Sequence, residues 1–574
     1  MRKYYREYRL QFIMGPAFKL AEAILELLVP LVMARIIDVG VKNGDTAYIL
    51  KMGGLMLLLG AVGLCFAIIC QYSAAVAQQG VGTDLRRDVF AKIQSLSAAD
   101  RAKFSNATLV TRLSNDINQI QSGVAMLIRL MFRSPFLIAG SLVMAMALDL
   151  KMSVIFFIAG AAVSLIMYYI LSRSLPLYKK IQNRLDVLLR IVSENLSGVR
   201  VIRAFQKTNA ERKRFADENE DFTRIQVRVG RLNAFLNPLT FAVINLGIVA
   251  LLYFGGKNVF GGTLLQGEVI AFTNYMTQIL LSIIVFANVI VVFTKAAASI
   301  DRVKAVLETE PTMYEGEIAV ADTENACAVR FDKVVFSFNE AEEKVLIDVS
   351  FSIARGQTVG IIGGTGAGKS ALVNLIWRLY DADSGTVSVF GRDVKDYTYQ
   401  GLRNAVHIVS QGSTLFKGTV RENLLCGKTD VSQEDMVNAL RVSQAAEFVR
   451  QLPDGLDAPV EEGGKNFSGG QRQRLSIARA LLGAPEILIF DDASSALDFA
   501  TDLKLRRALK EQYADKTVIL VSQRVSSVRT ADKILLLDDG VLCGAGTHEE
   551  LYRDNELYRE ICRSQSRESE VSAS

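Results

Sequence analysis

Val359-Gly360-Ile361-Ile362-Gly363-Gly364-Thr365-Gly366-Ala367-Gly368-Lys369-Ser370 is the stretch on which the reading of this chain turns. The first four residues form an apolar, strand-type run, and helical sequence resumes at Ala371. Between strand and helix, Gly363, Gly364, Gly366 and Gly368, with Thr365 and Ala367 among them, let backbone N–H groups close around phosphate oxygens. The helix N-terminus that follows adds partial positive charge at the same place. Lys369 is placed to reach the β- and γ-phosphates of a nucleotide, and the Ser370 hydroxyl to ligate Mg²⁺.

A second apolar run, Ile487-Leu488-Ile489-Phe490, ends in Asp491, where a carboxylate can hold Mg²⁺ through water. Further β-type runs at Val329–Phe338, Gln357–Ile362, Ala405–Ser410, Thr517–Val521 and Lys533–Asp538 alternate with helical sequence. That alternation predicts an α/β domain with a largely parallel sheet over residues 327–574.

The rest of the chain has a different character. At 574 residues it exceeds a single core. Its mean hydropathy of +0.25 is high for a soluble enzyme, and nearly all the apolar excess precedes Ile300. Six segments of about 20 residues or more are long enough to cross a bilayer: Leu10–Val39, Met52–Ala77, Met126–Leu148, Ser153–Leu171, Phe235–Phe254 and Ile270–Val292. The intervals between them alternate. Those at 39–51, 149–152 and 255–268 are short, whereas 78–125 and 172–231 are long and rich in Arg and Lys. Positive charge marks the cytoplasmic side, so both long intervals and both termini are expected in the cytosol. The long intervals have helical composition and should extend the spans well beyond the membrane, turning near Leu96–Thr111 and Ala204–Phe215. Glu-rich sequence around Pro311 makes 308–326 a linker between a membrane region, 1–307, and the α/β domain.

The 65 basic and 60 acidic residues are too evenly balanced to indicate nucleic acid. The six cysteines show no metal or disulfide spacing, and Cys65 and Cys70 fall in an apolar segment where small core residues are the simpler reading. Met1–Arg9 has no cleavable-signal pattern and reads as an interfacial lead-in. Four charges stand out inside the spans. Glu22 and Glu26 on the first, and Arg129 and Arg133 on the third, are each spaced to share one helical face. These faces are expected to meet or to line one polar cavity, as a structural ion pair or as a substrate contact. Asn245, Asn274 and Gln278 are better explained by helix–helix hydrogen bonds than by ligand binding.

Asn466-Phe467-Ser468-Gly469-Gly470-Gln471-Arg472-Gln473-Arg474 is similar to the signature motif of ATP-binding cassette proteins. With six spans and two long cytosolic intervals before it, the whole chain resembles a half-transporter of the ATP-binding cassette exporter family. The resemblance implies an α-helical membrane domain of six long helices joined to a phosphate-loop α/β domain. It also implies a dimer in which ATP lies between the phosphate loop of one chain and Ser468, Gly469, Gly470 and Gln471 of the other. Gln411 resembles the glutamine that senses Mg²⁺, and Ser495-Ala496-Leu497-Asp498 the loop through which paired cassettes communicate. Phe338 stands where the family usually has an adenine-stacking tyrosine, and keeps the aromatic face.

Two positions depart from the family pattern. After the Mg²⁺ aspartate the family has a glutamate that activates water; here it is Asp492. One methylene less withdraws the carboxylate by ~1.5 Å, and misplacement by ~1 Å can cost about 100-fold. The switch histidine is replaced by Gln523, whose neutral amide can donate to phosphate but takes no proton near pH 7. The other two histidines, His407 and His548, lie elsewhere in the sequence. These residues suggest one subunit of a heterodimeric exporter whose own ATP site hydrolyses slowly and whose intact signature serves the partner's competent site. A homodimer with two slow sites, an ATP-gated channel or regulatory protein, and an importer of the same fold remain open from sequence. The expected partners are a second half-transporter, the lipid bilayer and a small apolar or amphipathic cargo. No fused peptidase is expected before the first span.

Overall fold

The computed structural model describes residues 2–322, 325–338, 343–428, 431–483, 485–493 and 495–571. It divides into two compact units. One comprises Met1–Lys92 and Asn106–Glu308, the other Ile93–Ser105 and Thr309–Ser574. The turn of the first long helical interval therefore groups with the C-terminal unit, although the sequence assigned it to a continuous membrane region. Positions 323 and 324 of the expected linker lie outside the described residues.

The N-terminal unit is all helical. Helix Thr46–Ser95 has 50 residues and Leu150–Ser197 has 48. At 1.5 Å per residue each runs for roughly 70–75 Å, more than twice the ~30 Å of a bilayer's hydrocarbon core. Among the described residues five helical stretches are long and apolar enough to cross a membrane: Thr46–Ser95, Asn106–Leu148, Leu150–Ser197, Thr208–Phe260 and Gln266–Leu307. Arg9–Arg35 is 27 residues long, but Lys19, Glu22 and Glu26 interrupt its apolar run. The expected six spans thus stand at five by composition. The second of these, Asn106–Leu148, contains two π-helical segments, Arg112–Asp116 and Leu127–Met131. The second chain reversal lies at 198–207, with short helix Val199–Ala204 inside it, earlier than the Ala204–Phe215 predicted. Gly198 closes the preceding helix there.

Phe156, Phe272, Tyr275, Leu137 and Leu251 form the centre of this unit, and Tyr275 donates its hydroxyl to the Leu27 carbonyl at 2.8 Å. Asp116 is fully buried, receives hydrogen bonds from Ser299 at 3.0 Å and Arg112 at 2.9 Å, and pairs with Arg302. Of the intramembrane charges, Arg133 pairs with Glu26 at 2.7 Å, so those two faces do meet. Glu22 instead pairs with Lys19 on its own helix at 2.7 Å, a nearer partner than Arg129. Gln278 accepts from Ser141 across two helices at 3.0 Å. Asn245 and Asn274, by contrast, donate to the carbonyls of Phe241 and Ile270 within their own helices. Among the described residues no disulfide joins the six cysteines; Cys70 is buried as expected of a small core residue, whereas Cys65 is exposed.

In the C-terminal unit twelve strands follow in order among the described residues: β1 Cys327–Phe336, β2 Leu346–Ala354, β3 Thr358–Ile362, β4 Ser384–Val389, β5 Arg392–Asp393, β6 Val406–Val409, β7 Gly418–Thr419, β8 Pro459–Val460, β9 Ile487–Asp491, β10 Thr517–Val521, β11 Lys533–Asp538 and β12 Val541–Gly546. The main sheet has the order β12-β11-β3-β10-β9-β6, parallel except for the β12 edge. β1 belongs to a second, antiparallel sheet ordered β2-β1-β4-β5. The sequence reading merged it with the parallel set, because alternation along the chain does not reveal which strands pair.

β9 is buried at every position, as a central strand covered on both faces must be. Burying each such Ile, Leu or Phe contributes roughly 1.5–3 kcal/mol. Near the start of this unit, Asp100 is fully buried. Its Oδ2 accepts from Ser97 Oγ at 2.7 Å and from the Thr312 amide and hydroxyl at 2.9 and 3.1 Å. Burial opposes its charge, but these hydrogen bonds outweigh that and lower its pKa.

Candidate functional site

In the parallel sheet, β3, β10, β9 and β6 all point their carboxyl ends the same way. Each chain segment leaving those ends can therefore converge on one crevice, the usual place for a ligand in such sheets. The segment after β3 is the phosphate loop, that after β9 carries Asp492, that after β10 carries Gln523, and that after β6 carries Gln411. A cavity of about 250 Å³ opens there, lined by Thr365, Gly366, Gly368, Lys369, Ser370, Gln411, Asp491, Asp492, Gln523 and Phe338, with Ala371, Val345, Val521 and Ser522.

The loop needs glycine at two points for a backbone reason. Gly366 and Gly368 sit at φ +88° and +90°, in the left-handed region that side chains disfavour. A Cβ on Gly368 would also press on Leu346 and the Val345 carbonyl, both at 2.8 Å. Helix Lys369–Ile376 starts immediately afterwards, so its free N–H groups face the cavity side of the loop. Lys369 is buried, and its ammonium donates to the carbonyls of Gly363 at 2.9 Å and Gly364 at 2.6 Å. Burial lowers its pKa, against the opposing pull of Asp492 and Asp491. Ala367 is buried under the loop.

Ser370 donates to Asp491 Oδ1 at 3.0 Å, so the hydroxyl and the carboxylate expected to share a Mg²⁺ ion are already adjacent. Burial raises the Asp491 pKa and Asp492 adds to it, while Ser370 and Lys369 pull the other way. Burial likewise raises Asp492, against Arg524 and Lys369. Among the cavity-lining residues, the Ser370 hydroxyl, the buried Asp491 carboxylate and the Gln411 amide oxygen are all-oxygen donors of the kind that suits Mg²⁺.

Asp492 holds an unusual backbone. Its φ is +48°, its N–H donates to the Val521 carbonyl at 3.0 Å, and its own carbonyl accepts from Ser495 Oγ at 2.8 Å. Aspartate is among the side-chain-bearing residues that tolerate that region best. Among the described residues no glutamate and no histidine lines the cavity. His407 sits in β6 with Nδ1 2.6 Å from the Ala480 carbonyl, and His548 lies 2.9 Å from the Tyr558 hydroxyl. Phe338 is partly exposed and is held edge-on by Phe336 and Tyr380, with ring centres 4.9 and 5.3 Å away.

The signature segment is built elsewhere. Ser468 caps helix Gly469–Leu481, accepting from the Gln471 N–H at 3.2 Å while its own N–H donates to Gln471 Oε1 at 2.8 Å. Gly469 has open space around it, and a side chain at Gly470 would meet the Ala496 carbonyl at 3.2 Å. Asp498 caps helix Phe499–Gln512 through Thr501, and those hydrogen bonds lower its pKa. Neither Ser468–Gln471 nor Asp498 lines the cavity. One contact escaped the sequence reading: Gln565 donates to the Gln523 carbonyl and accepts from the Val525 N–H. No motif links two residues so far apart in sequence.

Residues 12–283 match the family described as the ABC transporter transmembrane region, and residues 346–495 match the ABC transporter family. An uncharacterised ABC transporter ATP-binding protein of Mycobacterium tuberculosis is 37% identical over 570 residues, covering 99% of this chain and 98% of that protein. A multidrug efflux ATP-binding/permease protein of the same organism is 29% identical across 97% of this chain, which spans 46% of that protein. The solved structure of a bacterial Atm1-family ABC exporter with ATP bound superposes with a TM-score of 0.77 at 25% identity, covering 98% of both chains. At 37% identity to an ABC transporter protein over nearly its whole length, with both family regions matched, this chain belongs to the ABC transporter family and is a multi-pass membrane transport ATPase.

Proposed function

We propose that the chain is one subunit of a heterodimeric exporter in which ATP at its own phosphate loop is clasped but cleaved slowly. The observation that carries this reading is the pairing of Asp492 with Gln523 in the same cavity as Lys369 and Ser370. The positions suited to activating water and to relaying a proton hold a shortened carboxylate and a neutral amide. The displacement of Ser468–Gln471 from that cavity supports the reading that this signature serves a second chain.

In the proposed mechanism, Phe338 stacks the base, the loop amides and Lys369 hold the phosphates, and Ser370, Asp491 and Gln411 would hold Mg²⁺ when it is bound. The ion would supply charge neutralisation at the phosphates. Gln523 donates to phosphate without exchanging a proton. Lys369 exchanges its carbonyl partners for phosphate oxygens, and Ser468 with the Gly469 and Gly470 amides contacts nucleotide held by the partner. The two cytosolic reversals transmit cassette closure to six membrane spans, Arg9–Arg35 being the sixth, with both termini in the cytosol. The cargo is a small apolar or amphipathic molecule, by analogy with the multidrug efflux relative.

The chain purified alone is expected to hydrolyse ATP slowly and to gain turnover when joined by a half-transporter bearing glutamate and histidine at the positions matching Asp492 and Gln523. Brisk ATP hydrolysis by this chain alone would remove the proposal.

A further inference from the structure

We propose that Arg129 is an anion site inside the membrane region, taking the acidic group, a carboxylate or a phosphate, of an amphipathic molecule. It lies in the π-helical segment Leu127–Met131, a local break of the kind that recurs at functional sites. The first helix presses on this segment: a side chain at Gly15 would collide with Ile128, which is buried.

Four other charges cluster on these two helices, and their pairing leaves Arg129 over. Lys19 and Glu22 pair at 2.7 Å, and Arg133 and Glu26 pair at 2.7 Å. Arg129 Nε is buried with no hydrogen-bond partner among the described residues. Lys19, Arg129 and Arg133 against Glu22 and Glu26 leave Arg129 with no ion pair among the described residues.

A charge so placed is costly unless something neutralises it. Both nearby carboxylates are engaged, so the neutralising charge comes from outside the chain. A guanidinium presents a planar fork that fits carboxylate or phosphate by two parallel hydrogen bonds. An amphipathic occupant follows from the surroundings: Cys70, Ala74, Ala77, Ile128, Phe12 and Val124 pack together beside the site. Cargo and bilayer lipid can both present that chemistry. That the occupant is cargo rests on the transport reading above; that Arg129 takes an anion does not.

The test is direct binding to the full chain in nanodiscs, using tritiated dodecanoate and dodecyl phosphate against neutral dodecanol, without ATP. Wild type is expected to bind both acidic probes at least about 10-fold more tightly than the alcohol, the scale of one charge-assisted contact. Arg129→Gln should bring the three together, and Arg129→Lys should keep part of the preference. Elution profile and thermal midpoint establish that the variants are folded. Equal binding of acid and alcohol by wild type overturns the proposal even if no variant folds, as does an undiminished preference in Arg129→Gln. Competition by added phosphatidylglycerol, present in wild type and absent in Arg129→Gln, assigns the site to lipid. Arg129-dependent binding that phosphatidylglycerol leaves unchanged assigns it to cargo. A failure of vesicle transport would remove the export reading and leave this binding result standing.

Discussion

Gln565 Nε2 donates to the Gln523 carbonyl at 2.7 Å, and Gln565 Oε1 accepts from the Val525 amide at 2.8 Å. One side chain of helix Glu556–Val571 thus brackets the loop that brings Gln523 to the nucleotide cavity. Gln565→Ala should release that bracket. The Val525 amide should then exchange hydrogen about 5-fold faster, the equivalent of one hydrogen bond of roughly 1 kcal/mol. Unchanged exchange would show that the loop is held by other contacts.

Lys369 is a buried ammonium of the site, held among the described residues by its own loop's carbonyls. Lys369→Ala should weaken ATP binding by about 10- to 100-fold, the loss expected for charge-assisted contacts to phosphate. Equilibrium binding of a fluorescent ATP analogue measures it.

Asp492→Glu combined with Gln523→His should raise ATP turnover of the assembled transporter by about 10- to 100-fold. Because residue 492 sits at φ +48°, the glutamate should also reduce stability by up to about 1 kcal/mol. Steady-state phosphate release and a thermal melt read the two effects separately. Unaltered turnover would mean that these side chains do not limit the reaction.

His407 carries a pH dependence whose sign is fixed by its surroundings. Burial, with Lys428 beside it, pushes its pKa from the usual 6.5 down to about 4. The unfolded chain therefore binds the proton more readily than the folded one. The stability tied to neutral His407 is complete above pH 6.5 and is lost progressively as pH falls toward 4. A denaturation midpoint followed over that window should fall for wild type, and His407→Gln should flatten the slope. A slope unchanged in His407→Gln would exclude this residue as its source.

Asp116 is buried with Arg112, Arg302 and Ser299 around it. Asp116→Ala should destabilise the N-terminal unit by about 1–3 kcal/mol, because the hydrogen bonds from Ser299 and Arg112 are lost while the half-exposed Arg302 can turn to water. Asp116→Asn, which keeps the hydrogen bond from Ser299, should cost less. Thermal midpoints in detergent compare them.

Much of the nucleotide site could be read from sequence because its parts are contiguous. Gly363–Ser370 is a single run joined to its strand and helix, and Asp491–Asp492 directly follow an apolar strand. Gln411, Gln523 and Phe338 were found only by their places in motifs, and the structure brings all three to the same cavity. Val345 and Ala371 line that cavity with no chemical mark in the sequence. The antiparallel sheet of β1, β2, β4 and β5 was missed because its pairings join strands whose order along the chain resembles the parallel set.

Local chemistry pointed to the residues suited to phosphate, to five of the six segments that are apolar enough to cross a bilayer, and to two side chains that depart from the family's pattern. Loop flexibility, strand hydrophobicity and carboxylate length are properties of neighbouring residues, so a linear reading reaches them. Folding in three dimensions decided the partners of isolated charges: Glu22 turned to Lys19, Glu26 met Arg133, and the Arg129 Nε kept none among the described residues. It also set the left-handed backbone at Asp492 and the reach of Gln565 to the switch loop. Those outcomes depend on distances between segments remote along the chain, fixed only when helices pack and strands choose their neighbours.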